Sequence, residues 1–359
     1  MKLLEPIELA TMKLKNRMVM APMTRSRASI LGVVGDATAT YYQQRATAGL
    51  IITEAINISE EAIGSPLTPG LYTKDQLEAW GKVTQAVHQD GGKIIAQLWH
   101  TGRVGHSLVK NGQLPVAPSA IAIDGQQHFT MEGPKPYETP REISVVEIER
   151  IIQEYKQAAL NAIEAGFDGV ELHAAFGYLP NQFLADSSNQ RTDSYGGNHE
   201  NRNRFVLELM NALVSAVGPN KVGIRFSPTS TYNSILHSDP LTQFTLLIKE
   251  LNKLPLAYIH LMKVPFDSEQ HKNFPKNVIE DLGSISTHPI IANCGYTKET
   301  GEQELALGVA KLIAYGTLFL ANPDLPKRFE LNAPFNELDA ASMYGGTEKG
   351  YVDYPFLAE

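Results

Sequence analysis

Gly169-Val170-Glu171-Leu172-His173-Ala174-Ala175-Phe176-Gly177-Tyr178-Leu179 is the stretch that decides the fold. A helix with a readable start and stop leads into it. Ser144 and Glu147 have the spacing of a capping box, in which each side chain serves the other residue's backbone N–H. Ile148, Ile151, Ile152, Tyr155, Ala159 and Ile163 then recur at helical period. Gly166 stands where a helix end wants a residue tolerant of positive φ. After Phe167-Asp168, a short strand over 169–172 delivers an imidazole, a phenyl ring and a phenol within six positions. Helix, tight turn, buried strand, then polar groups at the strand's C-terminal end is the arrangement of the active face of a (β/α)-barrel. His173 or Tyr178 alone is compatible with an ordinary packed interior. The two together at a strand end point to a site.

Outward from this unit, seven further strand candidates recur at the spacing of βα units, at 18–23, 50–58, 93–99, 221–227, 258–262, 289–293 and 312–315. Helical patterns fall between them, among them 75–89, 201–217 and 241–254. Eight parallel strands separated by helices predict one closed (β/α)8 TIM barrel of the α/β class, a single domain over 1–359, because every crossover returns on the same hand. A Rossmann sheet is the alternative, but no Gly-x-Gly-x-x-Gly follows the first strand. Ile7-Glu8-Leu9 and Met12-Lys13-Leu14 flank Ala10-Thr11 as a small hairpin, expected to plug the N-terminal end. Residues 101–143, rich in Gly and Pro, interrupt the spacing between the third strand and its helix. An insertion there is expected to form a lid over the catalytic face.

Composition excludes several functions. A net charge of -8 argues against nucleic acid or an anionic membrane as partner, since either wants a basic surface. The one cysteine rules out an intramolecular disulfide and any iron–sulfur or all-cysteine zinc site. Met1-Lys2-Leu3-Leu4-Glu5-Pro6 breaks with charge and proline too early for a signal-peptide core, and no apolar run is long enough to span a bilayer. The expectation is a metal-free cytoplasmic protein, monomer or homodimer, acting on small molecules.

Parity within the strands picks out the unusual residues. Ile95, Gln97 and Trp99 share one face of the third strand, and Gly223, Arg225 and Ser227 one face of the fifth. An interior glutamine and arginine are costly in a dry core, but both stand near strand ends, where a polar ligand or a water-filled layer satisfies them. Thr24 is expected to close the first strand in the same way. Donors from three strands on one face suit a flat, hydrogen-bonding ring system. Asn293-Cys294-Gly295 and Tyr315-Gly316-Thr317 end strands seven and eight, the usual barrel site for a phosphate, with Asn322-Pro323-Asp324 expected to start the short helix there.

Longer matches add a family. They are Asn16-Arg17 with Ala21-Pro22-Met23-Thr24-Arg25, Tyr42 to Arg45 with Ala48-Gly49-Leu50, and Ala96-Gln97-Leu98-Trp99-His100-Thr101-Gly102-Arg103. Val116-Ala117-Pro118-Ser119, Arg191-Thr192-Asp193-Ser194-Tyr195-Gly196-Gly197 with Glu200-Asn201-Arg202, Ala321-Asn322-Pro323-Asp324-Leu325 and Gly350-Tyr351-Val352-Asp353-Tyr354-Pro355 complete them. In this order over the whole chain, the sequence resembles the Old Yellow Enzyme family of FMN-dependent ene reductases. The resemblance implies FMN in the barrel, NADPH or NADH as reductant, and hydride transfer to the β-carbon of activated alkenes such as enones, maleimides and nitroalkenes. It implies that Pro22, Met23, Thr24 and Ala55 line the flavin, that Gln97 and Arg225 hold its pyrimidine side, and that Asn293, Gly295, Gly316 and Thr317 belong to the cofactor site. It implies a pocket of Trp99, Tyr351, Phe176 and His173 above the ring, with His173 as substrate anchor and Tyr178 as proton donor to the α-carbon.

Physical chemistry supports those roles. Hydride addition to an enone builds charge on the carbonyl oxygen, which a preorganised donor such as His173 stabilises. The enolate then needs a proton, which a nearby phenol can give. The sequence departs from the family at Phe176, where a second donor, histidine or asparagine, is usual, and at Thr317, where an arginine or lysine often follows the glycine. Ser65 stands where a pocket tyrosine is common. Two other functions fit parts of the chain: a Schiff-base aldolase using Lys263 past the sixth strand, and a flavin-binding protein with impaired turnover.

Overall fold

The computed structural model describes residues 1–358. Eight parallel strands close a barrel: β1 Met18–Met20, β2 Leu50–Asn57, β3 Ile94–Trp99, β4 Gly169–Ala174, β5 Val222–Phe226, β6 Tyr258–Met262, β7 Ile290–Asn293 and β8 Ala310–Tyr315. Period-two alternation sorts their side chains into two cores. Val170, Leu172, Val222, Ile224, Phe226, Ile259 and Leu261 face outward onto helices such as Val145–Glu164 and His199–Val217. Val19, Leu50, Ile52, Ile95, Ile291 and Leu312 face inward and meet Leu9, Met12 and Leu14 of the hairpin Ile7–Leu9/Met12–Leu14. The hairpin therefore plugs the N-terminal end with apolar side chains, and the polar inward residues are left at the other end. Ser144 and Glu147 form the expected capping box, and Gly166 holds φ +87 where a Cβ would meet Thr84 Oγ1 at 2.9 Å.

Several boundaries differ from expectation for identifiable reasons. β1 stops at Met20 because Pro22 has no N–H to continue the ladder, so Thr24 sits in the following loop. β4 runs to Ala174, two residues past the expected end, because His173 and Ala174 pair in register with Arg225 and Phe226 of β5. The helix expected over 241–254 ends at Leu251; Leu254 precedes Pro255, which disfavours helical geometry there. The insertion at 101–143 folds as a parallel pair, Val116–Ala117 with Arg141–Glu142, and a hairpin, Gln127–Thr130 with Gly133–Pro136.

Candidate active site

A cavity of about 600 Å³ opens at the C-terminal end of the barrel. Pro22, Met23, Thr24, Ala55, Gln97, Trp99, His173, Phe176, Tyr178, Arg225, Asn293, Gly295, Gly316 and Thr317 all line it. Strand parity explains the convergence. Gln97 and Trp99 on β3, Glu171 and His173 on β4, Arg225 on β5 and His260 on β6 occupy inward positions above the apolar plug.

The deeper layer is a buried polar network. Gln97 Nε2 donates to Glu171 Oε1 at 2.7 Å, and His260 Nδ1 lies 3.0 Å from Glu171 Oε2. Arg225 Nη2 donates to Asn293 Oδ1 at 2.9 Å, and Asn293 Nδ2 donates to the Ala314 carbonyl at 2.8 Å. Burial opposes the charge on Arg225, and Glu171 favours it. Arg225 Nε, Trp99 Nε1 and His260 Nε2 are buried with no hydrogen-bond partner.

The upper layer is aromatic. Tyr178 packs edge-on against His173, with ring centroids 4.8 Å apart, and against Trp99 at 4.7 Å. Burial, reinforced by Arg225 and His260, pushes His173 well below its ordinary value, so the ring is neutral. His173 Nδ1 accepts from the Ala175 N–H at 3.3 Å, which leaves the proton on Nε2. Burial, with the phenols of Tyr232, Tyr137 and Tyr344, pushes Tyr178 far up and keeps it protonated. Phe176 holds φ +54, a conformation awkward for a bulky residue. Two bonds hold it there: its N–H donates to Ser227 Oγ at 2.9 Å, and its carbonyl accepts from Asn233 Nδ2 at 2.8 Å. The phenyl ring lies 5.7 Å from the Arg225 guanidinium carbon.

Four expectations are placed differently. Tyr351 does not line the cavity: it is fully buried, stacked on Tyr41 at 4.2 Å, with the Arg25 guanidinium 5.0 Å from both rings. The reason is that Arg25 ties the tail down, donating to the Met343 and Gly350 carbonyls at 3.0 and 2.8 Å, which swings Met343 and Tyr344 into the wall instead. Asn322-Pro323-Asp324 does start a short helix, Leu325–Leu331 with Asp324 at its N-cap and bonded by Arg328 at 2.6 Å, but the helix at the cavity wall is a separate one, Thr317–Ala321, which begins directly after Gly316. Among the described residues, none from 101–143 lines the cavity, and the insertion meets the site through the Tyr137 phenol, which acts on Tyr178. Lys263 is likewise outside the wall, its Nζ 3.7 Å from the Tyr296 ring centroid and 3.9 Å from Glu304. Glu171, His260, Met343 and Tyr344 escaped the sequence reading. For Glu171 a signal existed, an acidic residue sharing strand parity with His173.

A family model described as the NADH:flavin oxidoreductase / NADH oxidase family matches residues 2–336. The 12-oxophytodienoate reductase 1 of Oryza sativa subsp. japonica is 43% identical over 361 residues, covering 99% of this chain and 93% of that protein. Among solved structures, morphinone reductase in complex with tetrahydroNAD is similar at TM-score 0.93 and 43% identity, over 99% of this chain and 98% of that one. The old yellow enzyme homologue from Zymomonas mobilis is similar at TM-score 0.95 and 41% identity, over 99% of both chains.

Proposed function

The chain belongs to the Old Yellow Enzyme family, within the NADH:flavin oxidoreductase / NADH oxidase family, and from that membership we propose that it is an ene reductase for small activated alkenes, working in the cytoplasm. The residues at the cavity fit FMN. Arg225 Nε is a buried donor without a partner, Gln97 has its side-chain oxygen unspent, and a Cβ at Gly295 (φ +74) would meet nothing within 4 Å. Non-covalently bound FMN supplies the hydride chemistry, between NADPH or NADH and the β-carbon of an enone, maleimide or nitroalkene.

The protein's own side chains do the rest. Thr24, Gln97 and Arg225 would hold the pyrimidine side of the ring, and Arg225 would offset negative charge there. Asn293, Gly295, Gly316 and Thr317 would surround the phosphate, largely through backbone amides. His173, neutral with its proton on Nε2, would donate to the substrate carbonyl oxygen as charge develops on it. Tyr178, kept protonated by burial, would deliver the proton to the α-carbon. Trp99, Phe176 and Tyr344 would wall the substrate from water and favour flat molecules.

The observation that carries this reading is the meeting of His173 and Tyr178, 4.8 Å between ring centroids, in one cavity with Gln97 and Arg225. The test is the visible spectrum of the purified protein before and after anaerobic addition of NADPH or NADH, followed by a maleimide. A yellow protein bleached by nicotinamide and recoloured by the alkene is expected. Colourless protein that takes up no added FMN overturns the reading, and bound flavin that neither nicotinamide bleaches makes it a binding protein without turnover.

A further inference from the structure

Beneath the cavity floor, Glu171 is a fully buried carboxylate to which no role in the chemistry above falls. β3, β4, β5 and β6 bring Gln97, Arg225 and His260 around it in register. Its two oxygens are divided. Oε1 takes the Gln97 amide nitrogen at 2.7 Å, and Oε2 takes His260 Nδ1 at 3.0 Å. The space beside it is closed by Tyr258, whose ring would lie 2.3 Å from a Cβ at Gly223. A buried carboxylate left in place by folding is costly unless it is paired and hydrogen-bonded, and this one is both.

An ionised carboxylate only accepts hydrogen bonds. Gln97 must therefore turn its nitrogen toward Glu171, which leaves its carbonyl oxygen to meet a ligand from above. The pyrimidine edge of a flavin offers an N–H between two carbonyls, so the direction of this one amide decides whether Gln97 attracts or repels it. We propose that Glu171, seated on His260, is a positioning residue for the flavin: it fixes the orientation of the Gln97 amide and balances the Arg225 charge beside the ring. Burial works against the Glu171 charge, and His260, Arg225 and Gln97 more than offset this, holding the carboxyl below its usual range. Burial holds His260 below its ordinary value, consistent with a neutral ring donating from Nδ1.

The inference rests on the FMN reading, and one experiment separates the two. Wild-type, Glu171→Gln and Glu171→Asp holoenzymes are compared for FMN retention on dilution, by fluorescence, and for flavin midpoint potential, by anaerobic dye equilibration. Gln removes the charge and lets the Gln97 amide face either way, so the midpoint moves to a more positive potential, because Arg225 then stands unbalanced, and FMN dissociates roughly tenfold more readily. Asp keeps the charge but withdraws it by one methylene, so FMN retention falls while the midpoint stays near wild type. A folded Glu171→Gln protein with unchanged retention and midpoint, or Gln and Asp variants whose midpoints move equally, overturns the inference and leaves the functional reading standing. Should Glu171→Gln not fold, the Asp protein decides, because a shifted midpoint with unchanged retention contradicts the assignment. Wild-type protein that takes up no FMN overturns the functional reading and this inference with it.

Discussion

Tyr178 and Phe176 stand two residues apart after β4 and carry the two sharpest single-residue expectations. Tyr178→Phe is expected to leave flavin reduction by nicotinamide intact, because that half-reaction takes no proton from the phenol. The half-reaction with an enone should slow by roughly 10²–10⁴, the usual worth of a general acid. Stopped-flow measurement of both halves checks this, and equal slowing of the two would make Tyr178 a matter of pocket shape. Phe176 puts a phenyl ring where a donor would complete an oxyanion pair with His173, and losing one such donor typically costs about 2.7–4 kcal/mol. Phe176→Asn should therefore raise kcat/KM for a cyclic enone more than for a maleimide, whose second carbonyl already absorbs charge. The backbone permits this exchange, since asparagine tolerates φ near +54 better than phenylalanine does. An unchanged enone-to-maleimide ratio would show that the ring position does not govern the anchor. At this scale His173, Gln97 and Arg225 were legible because each is a polar or ring side chain at an inward strand position, and Tyr178 because it follows His173 closely, at the start of the helix after β4. Tyr351 was misplaced because a motif does not say which tyrosine of a tail turns inward; the Arg25 bonds to the Met343 and Gly350 carbonyls decide that.

The short helix Thr317–Ala321 opens at the proposed phosphate site, and its first residue is an uncharged threonine. Gly316 precedes it at the cavity wall, and Arg45 closes its other end, donating to the Phe319 and Leu320 carbonyls, each at 2.8 Å. That buried arginine sits where the helix dipole wants a cation, so it fixes the helix without reaching the cavity. Exposed Thr317 at the first helical position leaves phosphate binding to backbone amides, a weaker arrangement than one with a charged partner. Thr317→Arg is expected to slow FMN loss on dilution, read by flavin fluorescence; equal or faster loss would move the phosphate elsewhere. Elements of strong period were legible in advance, such as Val145–Glu164 with its capping box and the plug hairpin with its alternating apolar residues. Asn-Pro-Asp starts the helix Leu325–Leu331 as expected, whereas the five-residue helix Thr317–Ala321 at the cavity wall was missed, because Gly-Thr carries no such start signal. The insertion at 101–143 was expected over the mouth from its place in the order of elements; its strand pairs could not be read from its Gly- and Pro-rich sequence, and none of its described residues lines the cavity.

The whole barrel divides along its axis into a dry end and a polar end, and the division bears on how the protein responds to its cofactor. At the dry end Leu9, Met12 and Leu14 are packed against Val19, Ile52, Ile95 and Leu312, and every one of these side chains is buried. At the other end Trp99 Nε1, Arg225 Nε and His260 Nε2 are buried without partners around a cavity of about 600 Å³. Buried polar atoms without partners, beside a cavity, give a region low local stability, whereas an apolar plug gives it high stability. FMN that binds only the folded barrel stabilises it by about 2.7 kcal/mol at a concentration a hundredfold above its Kd. That stabilisation is concentrated where the contacts form. Removing FMN should therefore raise amide hydrogen exchange in the loops 22–25, 293–297 and 316–318 and in the tail 341–351 that Arg25 ties to the mouth. Exchange in the hairpin Ile7–Leu9/Met12–Leu14 and in the N-terminal halves of the strands should change little. Mass-spectrometric exchange on the flavin-free and flavin-loaded protein measures both ends in one experiment. Equal loss of protection at the plug would mean that the barrel opens as one cooperative unit, and the division into a stable base and a cofactor-dependent rim would fail.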